Sequence, residues 1–121
     1  MNTAIGSQKL VLNYRGQRIE LKSSARRFHL GRDFINQLVI KHKQVSRKHA
    51  EIKFQDGRFI LTDYSMNGTY LSSESQERLW VFHQPWPLPQ QGVMSLGDKP
   101  DDQNPDLIQY QLVSDEVEAE E

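Results

Sequence analysis

The sequence has 121 residues, of which 36% are hydrophobic and 26% charged, and its formal net charge is −1. These values are typical of one globular domain, and no apolar run approaches the roughly 20 residues that a membrane-spanning helix requires. The absence of cysteine excludes disulfides, thiol catalysis and cysteine-based zinc sites, and it fits a reducing, cytoplasmic location. No basic start followed by an apolar stretch is present, so we expect no signal peptide.

Charge is distributed unevenly along the chain. Residues 1–58 contain 13 Lys and Arg against 4 Asp and Glu, a balance of +9, whereas residues 59–121 contain 2 against 12, a balance of −10. The first region can therefore attract an anionic partner although the whole chain is nearly neutral.

Short strand-like segments follow one another along most of the chain. Alternating or β-branched residues predict strands at residues 9–14, 17–21, 26–30, 37–40, 50–54, 59–62, 69–71, 79–82, 93–96 and 107–113. Arg15-Gly16 and Asp56-Gly57 predict tight hairpin turns. No long stretch has helical periodicity, which argues against helical crossovers and a parallel sheet. The expected fold class is all-β, a sandwich of two mostly antiparallel sheets.

Three kinds of segment are predicted to lie outside the strands. Residues 83–92 contain three alternate prolines, which cannot donate the hydrogen bonds of a central strand, so an edge loop is expected. Residues 98–106 have the polar and proline-rich composition of an exposed hairpin tip. Residues 1–8 are expected to form a flexible N-terminus and the acidic residues 114–121 a disordered tail or linker, which leaves residues 9–113 as the domain.

The most informative polar residues lie between positions 31 and 71. In order, they are Gly31-Arg32, then Ser46-Arg47-Lys48-His49, then Asp63-Tyr64-Ser65-Met66-Asn67-Gly68-Thr69. This order and spacing closely resemble the forkhead-associated (FHA) family, whose pattern is Gly-Arg, Ser-x-x-His and Asp-x-Ser-x-Asn-Gly-Thr. The resemblance extends over about residues 8–113, and residues 79–97 are similar to FHA domains attached to bacterial adenylate or guanylate cyclases.

The resemblance implies a phosphothreonine-dependent peptide-binding module in signalling, with ligand loops at one end of an FHA-like sandwich, within a larger protein. The residue types agree with that function. A phosphorylated side chain carries about −1.5 to −2 charges and several strong acceptor oxygens, so its reader needs a guanidinium together with hydroxyl and amide donors. Loops between sandwich strands can present such donors together.

The resemblance also implies individual roles in binding the phosphopeptide. Arg32 and Ser46 are expected to contact the phosphate, with Arg47 beside them, and Asn67 is expected to bond the peptide main chain. Met66 stands where the family often has a threonine whose hydroxyl joins the phosphate network. Loss of one neutral hydrogen bond costs about 0.5–1.5 kcal/mol, so Met66 is expected to lower affinity and not to abolish binding.

A second group of residues is expected to support the site. The resemblance makes His49 structural, bracing the phosphate-binding loop through hydrogen bonds. The other supporting positions are Gly31, Asp63, Ser65, Gly68 and Thr69. Because no histidine has a recognisable zinc-ligand spacing, we predict no metal site. We also predict no cofactor and no catalytic residue.

Two rival functions are disfavoured by the sequence. Ser46, His49 and Asp63 are the side-chain types of a catalytic triad, but no Gly-x-Ser-x-Gly elbow surrounds the serine, so we predict that the protein is not an enzyme. The basic residues 41–49 could attract nucleic acid, but they lack the exposed aromatic residues or recognition helix of its usual readers. The expected partner is a threonine-phosphorylated protein or peptide, and neither nucleic acid nor a membrane.

A third function is compatible with the sequence. Trp80, Phe82 and Trp86 lie near one another in the sequence, and tryptophan is common where proteins bind each other, although core packing would also account for them. A β-sandwich that binds partners without phosphate is therefore the alternative function.

Overall fold

A computed structural model describes residues 8–73, 78–101 and 103–114. These residues form eleven strands: β1 (Gln8–Tyr14), β2 (Gln17–Lys22), β3 (Phe28–Gly31), β4 (Leu38–Val39), β5 (Ala50–Gln55), β6 (Arg58–Asp63), β7 (Thr69–Ser73), β8 (Arg78–Val81), β9 (Pro85–Pro87), β10 (Gln91–Leu96) and β11 (Ile108–Ser114). Over the same residues, no helix has the length and apolar character needed to cross a membrane.

The strands form two sheets. One has six strands in the order β2-β1-β11-β10-β7-β8, and the other has five in the order β4-β3-β5-β6-β9. Within the described residues only the β3–β4 pair is parallel, with Leu30 opposite Leu38. The predicted all-β sandwich of two mostly antiparallel sheets is confirmed.

One apolar core holds the sheets together. Fully buried side chains come from the six-stranded sheet, such as Leu12 and Met94, and from the five-stranded sheet, such as Ile52 and Leu61. Burial of one such side chain stabilises a fold by about 1.5–3 kcal/mol. The core therefore fixes the two sheets against each other, and with them the strand ends from which the connections start.

The two predicted hairpin turns are present. Arg15 and Gly16 have φ values of 49° and 80°, and Asp56 and Gly57 have values of 54° and 81°. Two consecutive residues with positive φ define the tight turn that matches the twist of paired strands, and glycine adopts this backbone at low cost. These turns join β1 to β2 and β5 to β6.

The prediction of an edge loop at residues 83–92 is wrong in part, because Pro85–Pro87 form strand β9. This strand lies at the edge of its sheet and pairs only with β6, with Trp86 opposite Leu61. An edge strand needs hydrogen bonds on one side only, so it tolerates prolines that a central strand would exclude. The alternate prolines therefore exclude a central strand, but they do not exclude an edge strand.

The predicted exposed tip at residues 98–106 is wrong for Asp106, which is buried. Its Oδ1 accepts hydrogen bonds from Tyr14 Oη at 2.6 Å and from Arg15 Nε at 3.1 Å. Burial and the bond to Asp106 raise the pKa of the Tyr14 hydroxyl above its ordinary value. The segment is thus attached to the end of β1.

The predicted N-terminal segment and acidic tail lie outside the described residues, apart from Gln8 and Ser114. These two residues are strand ends that face each other in the β1–β11 pair.

Candidate functional site

Three connections between strands meet at one end of the sandwich: residues 32–37 after β3, residues 40–49 before β5, and residues 64–68 between β6 and β7. Ser46 links all three. Its carbonyl oxygen accepts a hydrogen bond from Arg32 N at 2.9 Å, and its Oγ accepts one from Met66 N at 3.0 Å. The structure therefore brings these predicted site residues together on one framework.

Gly31 lies where two of these connections cross. A Cβ atom on Gly31 would be 2.2 Å from Arg47 O, so any larger residue would push the segments apart. Asn36 fastens the crossing, because its Nδ2 donates to Arg47 O at 2.8 Å and to Asp33 O at 2.7 Å. Asn36 was not predicted as a site residue from the sequence, since its partners are main-chain carbonyls that carry no sequence signal.

The Arg32 guanidinium is held through Nε, and its two terminal nitrogens are free. Its Nε donates to Val45 O at 2.9 Å, and its side chain is exposed. These two nitrogens form no hydrogen bond with any other described residue. Guanidinium nitrogens in this state are suited to bind an anion.

Ser46 and Arg47 offer further donors beside Arg32. The Ser46 hydroxyl accepts from Met66 N–H but donates to none of the described residues, so its proton is available to a ligand. The Arg47 side chain is exposed and forms no ion pair with any residue that the structure describes. The three side chains carry two positive charges and one neutral donor.

Asn67 is exposed, and its amide is oriented by the chain itself. Asn67 Nδ2 donates to Gln44 O at 3.0 Å and to Gln44 Oε1 at 3.1 Å. This leaves the side-chain oxygen as an acceptor for a ligand N–H group. The neighbouring Met66 is 79% exposed, and its thioether offers only a weak acceptor.

His49 is fully buried and joins two of the connections. Its Nδ1 accepts from Ser46 N at 3.1 Å and its Nε2 donates to Gly68 O at 2.9 Å. Burial lowers the pKa of the imidazole, outweighing the opposite effects of Gly68 and Asp63, so the ring is neutral at pH 7. The Asp63 carboxylate at 3.7 Å therefore does not form an ion pair with it.

Asp63 organises the 64–68 connection from inside. Its Oδ1 accepts from Ser65 Oγ at 2.8 Å and Thr69 Oγ1 at 2.7 Å, and its Oδ2 accepts from Ser65 N at 3.1 Å and His83 N at 3.0 Å. Ser65 Oγ in turn accepts from Gly68 N at 2.7 Å. A buried carboxylate needs such compensation, and here four donors supply it.

Gly68 takes a backbone conformation that requires glycine, with φ of 86°. Its carbonyl accepts from Gly97 N at 2.8 Å, which places the end of β10 at the same end of the sandwich. Trp80 lies directly against its α-carbon.

The histidine and the carboxylate of the site are both committed to its framework. Within the described ranges no three His, Asp or Glu side chains are placed to hold a metal ion. His49 bonds the main-chain N–H of Ser46 and not its hydroxyl. Because both ring nitrogens are engaged, the ring has no nitrogen left to activate that hydroxyl.

The end loops of this small β-sandwich thus present the terminal guanidinium nitrogens of Arg32, the hydroxyl proton of Ser46 and the side-chain oxygen of Asn67, none of which bonds another described residue. Comparison with family models matches residues 28–97 to the FHA domain, which is more than half of the chain. The chain belongs to the FHA domain family. Comparison with curated protein sequences gives no match.

Similar solved structures agree with this membership. The FHA-1 domain of Mycobacterium tuberculosis Rv1747 is 21% identical, with a TM-score of 0.66 over 88% of this chain and 97% of that chain. An FHA domain of an Arabidopsis thaliana hypothetical protein is 19% identical, with a TM-score of 0.69 over 100% and 98%. The FhaA FHA domain, complexed with the intracellular domain of Rv3910, is 25% identical, with a TM-score of 0.60 over 87% and 100%.

Proposed function

We propose that the chain is a phosphothreonine-dependent peptide- and protein-binding module in signalling that regulates or targets a larger protein. The observation that carries this proposal is the set of free hydrogen-bonding groups on Arg32, Ser46 and Asn67, held together at one end of the sandwich. Family membership supports it, because FHA domains bind phosphothreonine peptides and include solved examples with phosphothreonine-dependent interactions.

The proposed division of labour follows from the chemistry of each group. The terminal nitrogens of Arg32 and the hydroxyl of Ser46 bind phosphate oxygens, and Arg47 adds a second positive charge. Hydrogen bonds to charged groups contribute roughly 1.5–3 kcal/mol each, so a dianionic phosphate supplies most of the affinity. Asn67 orients the peptide main chain through its free oxygen, and Met66 lies beside it as a contact without a strong hydrogen bond.

We also propose that the domain binds and does not catalyse. The histidine and aspartate that could suggest a triad are both committed to the framework: His49 bonds Ser46 N and Gly68 O, and Asp63 accepts four hydrogen bonds. Removal of either is therefore expected to act through loop structure.

The partner that we propose is a threonine-phosphorylated protein in the cytoplasm, and neither nucleic acid nor a membrane. The exposed Lys41, Lys43 and Lys48 lie in the same 40–49 connection as Ser46 and Arg47 and would accelerate encounter with an anionic partner.

The geometry of the strand ends suits a domain within a larger protein. Gly97 N bonds Gly68 O at the ligand end, and β11 runs antiparallel to β10, so Ser114 lies at the opposite end together with Gln8. A neighbouring domain on either side would leave the ligand loops accessible. The resemblance of residues 79–97 to FHA domains attached to bacterial cyclases suggests such an enzyme as the parent protein.

Calorimetric titration with one peptide in four forms tests the proposal, after an oriented phosphothreonine library has supplied the peptide sequence. The central residue is threonine, phosphothreonine, phosphoserine or glutamate, at two salt concentrations. We expect strong binding of phosphothreonine only, with phosphoserine weaker by several-fold to a hundredfold, because one methyl group contributes about 0.8 kcal/mol by burial and also restricts the rotamer. Comparable binding of the glutamate form, with steep salt dependence, would instead indicate a basic patch that attracts any anion.

A further inference from the structure

Trp80 lies against the loop that carries Asn67. Its Nε1 donates a hydrogen bond to Asn67 O at 3.0 Å, and a Cβ atom on Gly68 would come within 2.1 Å of the same nitrogen. The indole thus lies on the α-carbon of Gly68 while it bonds the preceding carbonyl. Trp80 covers the Asn67-Gly68 turn from outside the sandwich.

Trp80 is the first of three rings that we call the aromatic stack: Trp80, Phe82 and His83. The Trp80 and Phe82 rings are parallel within 8°, with centroids 4.9 Å apart, and the His83 ring is tilted by 40° against Phe82, with centroids 4.3 Å apart. At the other end of the stack, His83 Nε2 donates to Ser65 O at 2.7 Å. The stack therefore holds two carbonyls of one loop, Ser65 O and Asn67 O, on either side of Met66.

The contribution of Trp80 to the hydrophobic core is small. It lies opposite Tyr70, on the outer face of the six-stranded sheet, while the neighbouring Val81 is buried and Trp80 itself is 51% exposed. β8 is also the edge strand of its sheet. A half-exposed tryptophan on an edge strand contributes little to core packing. The main structural contribution of Trp80 is therefore its contact with the loop.

We propose that Trp80 is a positioning residue, and that the aromatic stack holds residues 65–68 in the conformation that presents Asn67 to the ligand peptide. This inference rests on the proposed function of Asn67. Loops of this kind are drawn from the least stable parts of a fold, and each residue ordered only on binding lowers affinity. The ring N–H groups of Trp80 and His83 belong to one stack and order the loop before the peptide binds. The loss of affinity that ordering on binding would cause is thereby avoided.

The same assignment gives Trp80 and Phe82 a role within the domain. Their proximity in the sequence also suggested a surface that binds proteins without phosphate. In the structure both rings lie at the outer side of the 64–68 connection. Trp80 donates a hydrogen bond to its backbone, and Phe82 lies between the rings of Trp80 and His83. Their partial exposure thus follows from supporting a loop at the edge of the sandwich.

Trp80→Phe tests the inference, because phenylalanine retains a stacking ring and lacks the N–H donor. Trp86→Phe is the matched control: Trp86 lies on β9 opposite Leu61, and its indole forms no hydrogen bond with the other described residues. We expect Trp80→Phe to bind the phosphothreonine peptide about three- to tenfold more weakly, the factor that loss of one hydrogen bond typically causes. The control is expected to bind like the parent.

Amide hydrogen exchange provides a second measurement that needs no ligand. In Trp80→Phe, exchange at residues 66–68 is expected to become several-fold faster than in the control, while exchange in β1 and β11 stays unchanged. Unaltered exchange at these residues, or parent-like affinity of Trp80→Phe, overturns the positioning role. If the parent itself fails to bind phosphothreonine peptides, the proposed function fails, and the exchange comparison still decides whether Trp80 holds the loop.

Discussion

The Asn67 amide is bonded twice to Gln44: its Nδ2 lies 3.0 Å from Gln44 O and 3.1 Å from Gln44 Oε1. These bonds join the 64–68 connection to the 40–49 connection. They also fix which atom of the amide remains free, since a nitrogen with two acceptors leaves the oxygen to face a ligand donor. We therefore expect Gln44 to act on binding through Asn67.

Gln44→Ala should therefore weaken phosphothreonine-peptide binding by at most about tenfold, because the bond to Gln44 O is retained and only one neutral hydrogen bond is lost. The informative measurement is a double-mutant cycle with Asn67→Ala, read by calorimetric titration. In the Asn67→Ala background the effect of Gln44→Ala should nearly vanish. Additive effects of the two substitutions would mean that Gln44 contacts the peptide independently.

Arg32→Ala should reduce affinity for the phosphothreonine peptide at least about tenfold, because charge-assisted hydrogen bonds are worth roughly 1.5–3 kcal/mol each. The thermal midpoint should change little, since Arg32 is exposed and donates one bond to Val45 O. Arg58→Ala is the matched control: this exposed arginine begins β6, whereas the ligand loop follows the other end of that strand. Equal losses in both variants would point to a general charge effect.

His49 should make the stability of the domain depend on pH. Burial lowers the pKa of the folded imidazole below its ordinary value of 6.5, so the unfolded chain binds the proton more tightly. The contribution of neutral His49 is therefore fully present above pH 6.5 and is lost as the pH falls from there through the folded pKa. Protonation of Nδ1 would also remove the acceptor for Ser46 N–H.

Urea unfolding at pH 7.5 and 5.5 measures this effect without a ligand, which matters because the second pKa of a phosphothreonine is near 6. The free energy of unfolding should be lower at pH 5.5. His49→Gln should be less stable than the parent at pH 7.5 by about 1–3 kcal/mol and should depend less on pH over this interval. A parent-like pH dependence in His49→Gln would assign the effect to another group.

The fold could be predicted from the sequence wherever the signal is local. Alternation located the strands, and Asp56-Gly57 located a hairpin turn, because side-chain period and backbone conformation are properties of neighbouring residues. β9 was missed because its prolines argue against a central strand. Whether the segment can instead form an edge strand depends on the neighbours of β6 in the sheet, which the local sequence does not reveal. The burial of Asp106 was missed because Tyr14, its partner, is 92 positions away.

The roles of the site residues stay predictions, but the motif located Arg32, Ser46 and Asn67, which the structure places on connections at one end of the sandwich. Arg32 and Ser46 carry free donors there, and Asn67 carries a free side-chain oxygen. Gln44 and Trp80 were not assigned to the site, since they act on Asn67 from 23 and 13 positions away, in part through main-chain carbonyls that every residue has. Only the folded connections show which carbonyl each side chain reaches.

Met66→Thr should strengthen phosphothreonine binding. Met66 is 79% exposed beside the proposed phosphate site, and its main-chain N–H is already bonded to Ser46 Oγ, so the backbone at this position is fixed. A threonine hydroxyl there could join the phosphate network, and a hydrogen bond to a charged group is worth roughly 1.5–3 kcal/mol at best geometry. Because side-chain ordering and imperfect geometry offset part of that gain, we expect a two- to tenfold increase in affinity.

Two comparisons separate this effect from a general change at position 66. Met66→Val has the branched shape of threonine without the hydroxyl, so it should bind no more tightly than the parent. The gain from Met66→Thr should also disappear for the glutamate form of the peptide, whose planar carboxylate lacks the third oxygen of a phosphate. Equal gains in Met66→Thr and Met66→Val would assign the improvement to side-chain shape. The phosphate would then be bound by Arg32 and Ser46 without any contribution from a hydroxyl at position 66.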